Sequence, residues 1–110
     1  YAKLETCNGI WWTDFKLENL SGVSFRSVSI VVRDAQTNTV ATMELNGFTN
    51  KDGCGTTRTV ESLVAGGTLT VSSSAFGYNP SGNNLGAKIK LCTNLDRTGA
   101  CLEREISFKP

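Results

Sequence analysis

The stretch Ser24-Phe25-Arg26-Ser27-Val28-Ser29-Ile30-Val31-Val32-Arg33 decides the fold class. Val28, Ile30 and Val32 recur with a period of two, and serines occupy the other face through part of its length. That period belongs to a strand with one face buried, because successive side chains of a strand point to opposite sides. Asp34-Ala35-Gln36-Thr37-Asn38 follows and reads as a hairpin connection. Asp, Asn and Thr there favour turns through local hydrogen bonds to the backbone. Alternation resumes from Thr39 to Leu45, with Ala41, Met43 and Leu45 on one face.

Working outward from this hairpin, the same pattern recurs. Toward the N-terminus, Ile10 to Leu17 places Trp11, Thr13, Phe15 and Leu17 on one face, and Asn19 to Gly22 reads as a turn. Toward the C-terminus, Asn46 to Thr56 is irregular and polar. A short strand near Arg58 to Leu63 follows, closed by Ala65-Gly66-Gly67. Thr68 to Ser73 carries Leu69 and Val71 inward, and Phe76 to Asn84 is a second polar loop. A final hairpin holds Ala87, Ile89 and Leu91 on one strand, with Leu102, Ile106 and Phe108 as inward candidates on the other. No segment keeps apolar residues at helical spacing for two turns. Seven short half-apolar strands predict an all-β, seven-stranded antiparallel sandwich, since one sheet needs a second to cover its apolar face. Residues 1–110 read as a single domain, with residues 1–9 as a leading arm tied down by Cys7.

The four cysteines carry the next inference. Cys7, Cys54, Cys92 and Cys101 contain no C-x-x-C pair, and the chain has no histidine. Zinc would require a four-thiolate site, which usually shows two tight pairs. Disulfides are therefore expected, in an oxidising compartment. If residues 92 and 101 face each other in the last hairpin, Cys92–Cys101 closes it, and Cys7–Cys54 becomes the long-range staple; four cysteines allow three connectivities.

Composition narrows the function. The formal charge is +1 and the eleven basic residues are scattered, so the basic stripe that nucleic-acid binding requires is missing. No apolar run is long enough for a membrane span. The chain opens on Tyr1 rather than Met and is read as a mature chain or an excised domain whose targeting signal has been removed. Lack of histidine removes Ser-His-Asp and Cys-His catalysis, and disulfide cysteines are not nucleophiles. A Ser-Lys pair, for which no elbow motif is present, and carboxylates remain: Asp14, Glu18, Glu44, Glu61, Glu103 and Glu105. As solvated strand-face charges they require no catalytic explanation, so no catalytic residue and no cofactor is assigned. Asn50-Lys51-Asp52-Gly53 and the Asn94, Asp96 pair are similar in composition to oxygen-rich calcium turns. Both lack the twelfth-position acid and are explained by turn formation. Asn19-Leu20-Ser21 is an acceptor tripeptide for N-glycosylation.

The aromatics pose the open question. Trp11 and Trp12 are adjacent, so in a strand they point to opposite faces. One is core. The other faces solvent, where with Phe76 and Tyr78 it would offer a stacking surface for sugar rings, or faces a partner, or packs beneath the leading arm held by Cys7. Trp11, Trp12, Phe76 and Tyr78 are thus the candidate ligand-binding residues.

Glu61 to Val71 resembles the strand–turn–strand corners of immunoglobulin-like bacterial modules, although the Cys…Trp…Cys spacing of an antibody domain is absent. Phe76-Gly77-Tyr78-Asn79-Pro80-Ser81-Gly82, Ile89-Lys90-Leu91-Cys92-Thr93, Gly99-Ala100-Cys101 and Ile106-Ser107-Phe108 resemble modules of secreted bacterial surface proteins. The resemblance implies an immunoglobulin-like sandwich in the extracellular space or cell envelope, and brings no active site with it. Three functions follow as expectations. The first is a non-catalytic module that binds or spaces, with a protein or glycan partner at the cell surface. The second is a subunit of a filament or surface layer, self-associating through the N-terminal arm. The third is a carbohydrate-binding module using an exposed tryptophan.

Overall fold

In the computed structural model, which describes residues 2–48, 50–58 and 62–110, nine strands form in chain order. They are β1 (Ala2–Cys7), β2 (Ile10–Glu18), β3 (Ser27–Asp34), β4 (Val40–Asn46), β5 (Asn50–Lys51), β6 (Thr57–Arg58), β7 (Thr68–Ser72), β8 (Leu85–Cys92) and β9 (Cys101–Phe108). A three-stranded sheet has the order β1-β2-β7, a four-stranded sheet the order β4-β3-β8-β9, and β5 pairs with β6 in a short ribbon. Every pairing is antiparallel. The protein is an all-β sandwich with two disulfides.

The expected alternation holds where the pattern is clearest. Val28, Ile30 and Val32 are fully buried, and Phe15, Leu17, Ala41, Val71, Ala87 and Ile89 join them in one core. Loop and bridge residues complete it. Phe48 comes from the irregular stretch, and Phe25 and Leu63 bridge to each other outside the named strands. Along one edge the two sheets are stitched together: Ser74 N–H donates to the Thr42 carbonyl (3.1 Å), and Thr42 N–H donates to Ser74 Oγ (2.9 Å). Phe15 of β2 and Phe108 of β9 meet edge to face, their ring centres 6.1 Å apart.

The two sheets together hold seven strands, the number expected, with β5 and β6 as a separate ribbon. Two expectations are corrected. The expected leading arm is a strand of the three-stranded sheet over Ala2–Cys7: Ala2 pairs with Phe15 and the ladder runs to Cys7 opposite Ile10, while Tyr1 lies outside the described residues. The cause is Asn8-Gly9, with φ of 51° and 79°, a two-residue turn whose twist suits a tight hairpin. The strand expected over Arg58–Leu63 is described only as β6 at its start and as the Leu63 bridge at its end; residues 59–61 lie outside the described residues. Leu102 pairs with Leu91 but stays 50% exposed. Leu102 borders an open hollow that it shares with Glu18, Leu20 and Phe25, so its inward face is not filled.

Candidate functional site

Both disulfides pair as expected. Cys92–Cys101 closes the β8–β9 ladder at its last matched pair, and Cys7–Cys54 ties β1 to the segment between β5 and β6, with Cα atoms 5.4 Å apart. That segment folds back as a turn: the Asp52 carboxylate accepts N–H bonds from Cys54 and Thr56. It lies over the outer face of the three-stranded sheet, directly on Trp12. A Cβ built on Gly53 would stand 2.4 Å from Trp12 Cε3, so only glycine permits this contact.

Trp12 is therefore 4% exposed, and its indole N–H donates to Asp14 Oδ1 at 2.8 Å. Ser72 Oγ donates to the same oxygen. Both expectations for Trp12, exposed for sugar stacking or packed beneath the leading arm, are overturned: the arm pairs beside Trp12 in the same sheet, and the disulfide-held flap covers the ring. Trp11 turns to the core and is partly buried; its carbonyl accepts from Phe76 N–H, and Phe76 is itself buried. Tyr78 stacks edge to face on Phe76 and uses its hydroxyl on Asp34 and Thr37. The structure gathers Trp11, Phe76 and Tyr78 at one edge and puts Trp12 on the opposite side of its sheet.

The polar candidates are likewise employed. Asp34 is 1% exposed and joins the two loops at one end of the sandwich. It accepts from Tyr78 Oη and from Asn83 Nδ2 (2.8 Å) in one loop and from Gln36 N–H (2.9 Å) in the other. Burial works to raise its pKa; the donors from Tyr78, Asn83 and the Gln36 and Thr37 backbone outweigh it and hold the carboxyl at about 2. Asn19 is 2% exposed and spends both amide hydrogens on the carbonyls of Val23 and Leu63. The acceptor nitrogen of the glycosylation tripeptide is thus built into a turn. Glu44 lies 3.7 Å from Arg97, and Glu103 lies 3.5 Å from Lys88. Asp96 and Asn46 exchange two hydrogen bonds. Glu61 lies outside the described residues. Among the described residues, no cluster of three or more Cys, Asp or Glu side chains could hold a metal ion, and no helix is long and apolar enough to cross a membrane.

One concave surface escapes the sequence. On the outer face of the four-stranded sheet, Arg33, Gly86 and Ser107 are cross-strand neighbours in β3, β8 and β9. Gly86 leaves a gap between the two outer side chains. An open cleft of about 710 Å³ extends from this row to Asn38, Asn84 and Lys109 at the loop end. A second hollow of about 320 Å³ continues from the same three residues past Lys88 and Glu105. Together they form one trough across three strands. Its only signal in the sequence is a glycine among the β-forming residues of Leu85–Cys92.

Compared with known protein families, with curated proteins and with solved structures, the chain matches none.

Proposed function

We propose that this chain is a non-catalytic module of the extracellular space or cell envelope that works as a self-contained binding or spacing unit. The observation that carries the reading is the Cys7–Cys54 bridge. It ties the end of the first strand, already paired with β2, to a flap of the same domain. An N-terminal segment used in this way is not available to complete a neighbour's sheet, which favours the plain module over the filament subunit. Two disulfides in a small domain suit an oxidising compartment. The buried carboxylates Asp14 and Asp34 are held by hydrogen-bond donors and serve the fold. The likeness of the second half to modules of bacterial surface proteins, and with it an immunoglobulin-like classification, points the same way.

The test is light scattering on the native, disulfide-bonded protein across a concentration series. A monomer at every concentration is the expected result. Polymers that grow with concentration would replace the module with an assembling subunit.

A further inference from the structure

Two asparagines of the chain precede a glycine, in Asn8-Gly9 and Asn46-Gly47, and the fold treats the two in opposite ways. An asparagine side chain can be attacked by the main-chain nitrogen of the residue that follows it. Glycine permits this best, because it has no Cβ to crowd the approach. The surroundings of that nitrogen and of the carboxamide then decide whether the reaction runs.

At Asn46 both groups are held. Its Nδ2 donates to Asp96 Oδ1 (2.7 Å), and its Oδ1 accepts from Asp96 N–H (2.7 Å) and from Arg97 Nη1 (2.9 Å). Gly47 N–H donates to the Arg26 carbonyl (2.6 Å). The two donors on Oδ1 polarise the amide, but the nitrogen that must attack it keeps its proton on Arg26. Bringing the two groups together breaks several of these bonds at once.

At Asn8 neither group is held. Asn8 and Gly9 are exposed, and among the described residues neither the Asn8 carboxamide nor the Gly9 N–H makes a hydrogen bond. A Cβ built on Gly9 would meet nothing within 4 Å, so no packing opposes movement of the turn. Both residues have positive φ, 51° and 79°, which is the I′ form of a two-residue hairpin turn. Rotating the peptide between them gives the II′ form, in which the first central residue keeps its positive φ and takes ψ of about −120°. That rotation leaves the β1–β2 ladder in place and swings the Gly9 nitrogen to the side of the Asn8 carboxamide. Glycine is the usual residue at that position of a II′ turn, so with asparagine there the flipped turn is a minor state.

We propose that Asn8 is a site of spontaneous deamidation and isoaspartate formation, and that Arg26, Asp96 and Arg97 shield Asn46 from the same reaction. The Gly9 nitrogen loses its proton to base and bonds to Asn8 Cγ. The Cγ–Nδ2 bond breaks, and the amide nitrogen leaves as ammonia after taking a proton from solvent. Water then opens the five-membered imide. Opening at Cγ leaves aspartate; opening at the main-chain carbonyl leaves isoaspartate, with Cβ inserted into the main chain. Either product takes the formal charge from +1 to zero. Isoaspartate also lengthens a two-residue loop next to the bridged Cys7. The site is independent of what the module binds.

The experiment holds the native, disulfide-bonded protein at neutral and at mildly alkaline pH. Peptide mapping that separates aspartate from isoaspartate follows both positions over time. Asn8 is expected to convert at least tenfold faster than Asn46, with isoaspartate among the products and a rate that rises with pH. In the reduced, guanidinium-unfolded chain the two rates should converge to within a few-fold. Asp96→Ala should raise conversion at Asn46 and leave Asn8 unchanged. Equal or faster conversion at Asn46 in the native protein overturns the proposal. So does a native Asn8 that stays intact while the unfolded chain converts, or an Asn46 rate that Asp96→Ala does not move. A tenfold gap that persists in the unfolded chain also overturns it, since neighbouring sequence and not the fold would then be the cause.

Discussion

The two outer faces of the sandwich each carry a glycine, and the two glycines are kept for opposite reasons. On the three-stranded sheet, Gly53 presses on Trp12 so closely that a single methyl group would collide with the indole. There the missing side chain is required by packing, and a disulfide holds the flap in place. On the four-stranded sheet, Gly86 has room for a Cβ and nothing packed against it. One face is sealed by its own chain and the other is left open. A missing side chain is a structural fact at the first position and a vacancy at the second, and only neighbouring atoms tell them apart.

The largest expected effect comes from unsealing the covered face. Replacing both Cys7 and Cys54 with Ser frees a span of 47 residues in the unfolded chain. The chain-entropy model puts the loss at about 4 kcal/mol. Urea unfolding should register that loss, and Trp12 emission should shift to the red as the flap lifts. Unchanged emission would mean that the flap stays down without its bridge.

Gly53→Ala drives a methyl group into the Trp12 ring and should cost about 1–3 kcal/mol, the usual range for overpacking. Thermal unfolding measures it. A neutral result would show that the flap shifts at little cost, and the contrast between the two glycines would weaken.

Asp34→Asn probes the two loops that end the open face, and should cost about 2 kcal/mol through loss of hydrogen bonds to a charged acceptor. Its pH dependence has a definite sign. The folded pKa, at about 2, is below the unfolded value of 3.8. The stability it contributes is therefore complete above about pH 4 and disappears as the pH falls from there toward 2. Acid titration of unfolding should show the wild type losing its advantage over the variant in that window. A difference independent of pH would mean that shape, not charge, holds the loops.

The smallest effect is at Gly86→Ala, where stability should hold or rise by about 0.5–1 kcal/mol. A clear loss would give Gly86 a structural role and make the two faces alike.

Much of the fold is legible in the chain itself. Period-two alternation at Val28, Ile30 and Val32 places the central strand because water forces every second side chain inward. The final hairpin and its disulfide follow from the spacing of Cys92 and Cys101. Asn8-Gly9 carries a hairpin signal that a leading arm over residues 1–9 leaves out, although the φ values of that turn make it the most local feature in the chain. Leu102 obeys the alternation and is still half exposed, because pattern assigns a side chain to a face but does not say whether the space above it is filled.

For the candidate ligand-binding residues the sequence goes less far. Strand geometry puts the adjacent tryptophans on opposite faces and raises the question of what lies over the outward one. The answer depends on a segment more than forty residues away, brought over Trp12 by the Cys7–Cys54 bridge. Arg33, Gly86 and Ser107 are far apart along the chain and become neighbours only through the β3–β8–β9 register. The sequence by itself determined the strand class, the cysteines for two bridges and the absence of histidine chemistry, since each is written in residue type and local spacing. Tertiary structure alone decided which face is sealed and which is open, because that depends on how distant segments pack, and no local period records it.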